Sequence, residues 1–82
     1  MESGQRRTII MQGIQALGKA LEIKPDYFEA LSYMNLIYRE KAKLEADSQN
    51  ASAAGEDQAT AETYMKKALE VRNAQLKAQQ AK

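Results

Sequence analysis

Three features of this 82-residue chain predict an all-α fold of three antiparallel helices. Apolar residues recur at spacings of three and four in three separate segments, which is the period of an amphipathic helix. Those segments are rich in Ala, Leu, Glu, Lys and Gln, the residues that lose least on entering a helix. Two breaks separate them, one at Pro25 and one at the small polar stretch around Ser48–Gly55. No run alternates apolar and polar residues as a strand would.

The first helix is expected over about 5–23, with Ile10, Ile14, Leu17 and Leu21 on one face. Pro25 ends it, because the proline ring pushes Lys24 out of the α region. Asp26, with Glu29 three residues on, reads as an N-cap and its capping-box partner for a second helix over about 27–46. Tyr27 would staple the entry to that helix. Leu31, Met34, Tyr38 and Ala42 form its stripe, flanked by Ala30, Ile37 and Leu44. Residues 48–56, small and polar and ending near Gly55, are expected to be a flexible loop. The third helix is expected over about 57–79, with Ala61, Met65, Ala68, Leu69, Arg72 and Leu76 on its packed face. The chain is long enough for one domain, 1–82, with a modest core.

Composition excludes several classes of function. With no cysteine and no histidine, the chain has no disulfide framework, no zinc site of the usual kind and no Ser-His or Cys-His catalysis. No other catalytic constellation is visible, and neither an enzyme activity nor a cofactor is expected. Twelve basic and eleven acidic residues leave a net charge of +1, too little to attract nucleic acid or anionic lipid over distance. No apolar run is long enough to span a membrane. Met1–Arg7 and the few apolar residues after it do not read as a secretory signal. The cytoplasm is therefore the default compartment, or the periplasm if the chain is a piece of an exported protein.

Lys19-Ala20-Leu21-Glu22-Ile23-Lys24 recurs as Lys67-Ala68-Leu69-Glu70-Val71-Arg72, and upstream Gly13 and Leu17 align with Ala61 and Met65. Gly13, Leu17, Ala20 and Pro25 together resemble the second helix and closing proline of a tetratricopeptide repeat, a helix-turn-helix of 34 residues. Leu31, Met34, Asn35 and Tyr38 resemble the first helix of the next repeat, and Ala61, Met65 and Ala68 its second. Leu31 stands in place of a Trp, Asn35 of a Gly and Asn73 of the closing Pro. Ala20 and Ala68 are 48 residues apart. The resemblance therefore implies 14 inserted residues between Ala42 and Gln58, lengthening the second helix, the loop after it, or both. It also implies one and a half repeats, hence a fragment of a longer array or a protomer that completes its core with another chain. A swapped dimer with the long loop as hinge is one form of the latter.

The resemblance further implies a non-catalytic scaffold that binds a protein or peptide in a groove. Carried onto this sequence, the groove residues are Glu29, Ser32, Tyr33, Leu36, Arg39, Glu40 and Lys43. The plainer alternative for Tyr33 and Leu36 is packing on a neighbouring segment. Family members that clamp a peptide carboxylate use Lys and Asn where this chain has Ser32 and Tyr33, so that activity is not expected. A homo-oligomer made through the same apolar faces is the alternative function. Lys66, Lys67, Arg72, Lys77 and Lys82, with Arg6 and Arg7, are read as solvated cations rather than a nucleic-acid site. Glu40, Glu45 and Asp47 are read as solvent-facing rather than as metal ligands.

Overall fold

The computed structural model describes residues 3–80. It contains three α-helices: α1 (Ser3–Ile23), α2 (Phe28–Asp47) and α3 (Ala51–Gln80). There is no strand among the described residues. The fold is all-α, as the periodicity predicts.

The helices run antiparallel in sequence order, and α2 is the central one. It packs against α1 on one side and, more extensively, against α3 on the other, while the backbones of α1 and α3 do not approach each other. The 30 residues of α3 would span about 45 Å at 1.5 Å per residue and set the 50 Å long axis of the molecule.

α1 ends where Pro25 requires. The Lys24 amide still donates to the Ala20 carbonyl at 2.9 Å, and the Tyr27 amide closes a turn on the Lys24 carbonyl at 3.1 Å. That turn corrects the expected cap. It consumes Pro25 and Asp26, so the N-cap of α2 is Tyr27, which makes no side-chain capping bond. Tyr27 is exposed, and its ring carries the Lys24 ammonium 5.6 Å from its centroid. Glu29 remains in the first turn of α2, where a carboxylate is favoured by the helix dipole.

The second correction is larger. The loop expected over 48–56 is a three-residue turn, Ser48-Gln49-Asn50. The Asn50 amide donates to the Glu45 carbonyl at 2.8 Å and the Gln49 amide to the Ala46 carbonyl at 3.0 Å. Gln49 adopts φ 61°. This is a Schellman ending, with Gln49 in the left-handed position that glycine usually fills. Asn50 then starts α3: its Oδ1 accepts from the Ala53 amide at 3.3 Å, an N-cap bond. Ala51–Ala54 are small, but alanine is the best helix former, so once Asn50 caps them they are helical. The segment 42–58 is therefore helix on both sides of a tight turn. No long loop is present among the described residues to act as the hinge of a swapped dimer.

The core is small. Ile10, Ala30, Leu31, Met34, Leu44, Ala61 and Ala68 are its buried apolar residues. On α3 the packed row is Asp57, Ala61, Tyr64, Ala68 and Val71, each buried or half-buried. This corrects the expected face: Met65, Leu69, Arg72 and Leu76 are exposed. Small alanines at 61 and 68 let α3 lie close to α2. The rotation is fixed by Tyr64 stacking on Tyr38, with centroids 5.9 Å apart, and by Asp57 meeting Lys41.

Candidate functional site

The groove begins with Gly13. A Cβ built there would collide with Cδ1 of Ile37, the far end of that side chain, so α1 approaches α2 at a point where any larger residue requires Ile37 to move. A Cβ built on Gly18 would lie 4.0 Å from the Met34 methyl, ordinary contact distance. α1 is also tied at its other end. Arg7 donates to Glu45, and Asn50 Nδ2 donates to the second oxygen of Glu45 at 3.3 Å. Glu45 is only 4% exposed, contrary to the expectation that it faces solvent; Glu40 and Asp47 are exposed. The Arg7 hydrogen bond holds the Glu45 carboxyl below the usual carboxylate range.

Along the α1–α2 contact, around the Gly13–Ile37 approach, lies an open groove of about 740 Å³. Gly13, Ala16 and Leu17 of α1 form one wall, and Tyr33, Leu36 and Ile37 of α2 the other. Arg39, Glu40 and Lys43 rim it. Tyr33 and Leu36 are 58% and 55% exposed; no other segment among the described residues covers them. Arg39 is oriented by its Nε–H, which donates to Asn35 Oδ1 at 2.9 Å. Across the ridge made by Arg39 and Lys43 is a second depression of about 590 Å³, lined by Ala42, Ala46, Ala51, Ala54 and Gly55.

The structure thus brings Tyr33, Leu36, Arg39, Glu40 and Lys43 together at one groove. Glu29 and Ser32 lie on α2 outside it. The α1 wall was absent from the sequence-based set. Gly13 is the residue that could have revealed it, since close approach of two helices at a glycine implies a shared surface beside it.

Between α2 and α3, Lys41 Nζ sits 3.1 and 3.0 Å from the two Asp57 oxygens. Every buried side-chain nitrogen and oxygen among the described residues has a partner. Burial pushes the Tyr38 phenol above its ordinary pKa, with the neighbouring Tyr64 adding to the shift. No group of three or more carboxylates that could hold a metal occurs among the described residues. Lys66, Lys67, Arg72 and Lys77 are exposed along α3; Lys82, like Met1 and Glu2 of the N-terminal segment, lies outside the described residues. No described helix is long and apolar enough to cross a membrane.

Comparison with known proteins finds no family model, no curated relative and no solved structure that matches the chain.

Proposed function

We propose that this chain is a non-catalytic interaction module or scaffold, tetratricopeptide-like in design, that takes an apolar segment of a partner protein in the α1–α2 groove. The observation that carries this reading is the pairing of exposed Tyr33 and Leu36 with the small-residue wall of α1. Exposed apolar side chains gathered at a concave site and rimmed by charge are the usual makings of a protein contact. The floor suits aliphatic or aromatic anchors of an amphipathic helix or strand. Arg39 and Lys43 outnumber Glu40 at the rim, so acidic residues flanking the anchors are favoured. The reading places the protein in the cytoplasm by default and assigns it no nucleic acid, membrane or cofactor.

Selection of a random displayed-peptide library on the immobilised protein tests this reading. Enriched peptides should share spaced apolar residues with acidic flanks, and Leu36→Asp should weaken them at least about tenfold, roughly 1.4 kcal/mol. Failure to enrich any peptide, or binding that ignores Leu36→Asp, refutes the groove. A second reading, self-association through the same face, is favoured by the exposure of Tyr33 and Leu36. It requires that Leu36→Asp abolish a dimer.

A further inference from the structure

α3 carries a second periodic row beside the one packed on α2. Gln58, Glu62, Met65, Leu69, Arg72 and Leu76 recur at spacings of four and three, and all six are exposed. Met65, Leu69 and Leu76 remain 40%, 47% and 43% exposed, although their spacing is that of a helix-packing seam. Arg39 Nη2 touches the Met65 sulfur at 3.9 Å from the α2 side and leaves the rest of the row open. Neither Glu62 nor Arg72 has an ion-pair partner among the described residues.

The geometry points to a second copy of this chain as the occupant, with the two α3 helices antiparallel about a two-fold axis beside Lys67. In that register the two central layers of the row meet complementary partners and the outer layer closes the ends. Met65 faces Leu69 of the second copy, Glu62 faces Arg72, and Gln58 faces Leu76, each contact occurring twice. The alternation of four and three makes all these layers coincide in one register, as an antiparallel two-helix seam requires.

Charge selects the orientation. The exposed charges of the first half of α3 are Glu56 and Glu62, and those of the second half Lys66, Lys67, Arg72 and Lys77, with Glu70 the one acidic exception. Antiparallel pairing sets acidic half against basic half. Parallel pairing would set Glu62 on Glu62 and Arg72 on Arg72, which is repulsive. The seam from Gln58 to Leu76 is about 27 Å long at 1.5 Å per residue. Such a short seam buries an area at the small end of specific interfaces. The dimer is therefore reversible.

Light scattering over roughly 5 to 500 μM protein tests this, with charge reversals at two exposed sites that do not touch the core. The mass should rise from one 9.2 kDa chain toward two. Glu62→Arg alone and Arg72→Glu alone should each raise the midpoint concentration at least about tenfold. The double variant should restore the wild-type midpoint. Residues 62 and 72 are about 15 Å apart along one helix, so rescue can only come from contact between copies. A monomer throughout, or a dimer insensitive to both reversals, overturns the proposal. So does a dimer that Leu36→Asp abolishes while the reversals leave it intact, and that result would identify the groove as the interface.

Discussion

Gln49 is the one non-glycine residue with positive φ among those described. A left-handed conformation costs an L-residue roughly 1 kcal/mol, and glycine avoids that cost. The strain is tolerated because the turn around it makes three backbone hydrogen bonds, from the amides of Ser48, Gln49 and Asn50. Gln49→Gly should therefore raise stability by about 0.5–1 kcal/mol, net of the extra freedom glycine gives the unfolded chain. Urea denaturation with an unchanged slope would measure it. A loss of stability would mean that the Gln49 side chain makes a contact that offsets the strain. Asn50 illustrates how one polar residue can define a whole turn. Its oxygen caps α3 and its amide nitrogen braces Glu45.

At the scale of elements, two glycines of α1 look equivalent in sequence and differ in the structure. Glycine in a helix interior costs about 1 kcal/mol relative to alanine. At Gly18 a methyl would meet only Met34 at van der Waals distance, so Gly18→Ala should recover most of that energy. At Gly13 the added methyl collides with Ile37. The atom met is the Cδ1 end of a flexible side chain, so Ile37 must leave its rotamer at a cost of about 0.5–1.5 kcal/mol, and Gly13→Ala should gain clearly less stability than Gly18→Ala. Thermal melts should show the larger upward shift in Gly18→Ala. Equal shifts would show that Ile37 moves aside freely. The α2–α3 contact has a different basis, alanines at 61 and 68 with a tyrosine stack and an ion pair beside them. The face of α3 is thus chosen by fit rather than by hydrophobicity, and its larger apolar residues are left outside.

For the whole molecule, α1 and α3 meet through α2 rather than each other, and few large side chains are buried. Polar ties should then weigh more in cooperativity than they would in a larger core. The Arg7–Glu45–Asn50 cluster joins the start of α1 to the far end of the α2–α3 hairpin. Because Glu45 has a depressed folded-state pKa, its contribution is present above the unfolded carboxylate value of about 4.3. It is lost as pH falls through the folded value. Stability should decline below about pH 4–5, and Arg7→Gln should flatten that decline while lowering stability at neutral pH. An unaltered acid profile in Arg7→Gln, read by circular dichroism, would place the acid sensitivity elsewhere. The Tyr38 phenol works in the opposite sense. Its raised pKa adds stability below about pH 10 that is lost as the folded form ionises.

The sequence alone determined the three helices, the break at Pro25 and most of the α2 core, because period, propensity and proline geometry act locally and need no partner. The resemblance to tetratricopeptide repeats, rather than periodicity, put Glu29, Ser32, Tyr33, Leu36, Arg39, Glu40 and Lys43 on one expected surface, and the groove takes in the last five of them. Tertiary structure decided the rest. Which of two adjacent rows of α3 turns inward depends on whether α2 accepts alanine or leucine opposite it. Whether Glu45 is a surface carboxylate or a buried tie depends on where Arg7 arrives from 38 residues away. The α1 wall of the groove exists only because Gly13 and Ile37 meet. Each of these outcomes is set by the shape of a second helix, and no local pattern in one helix encodes the shape of its neighbour.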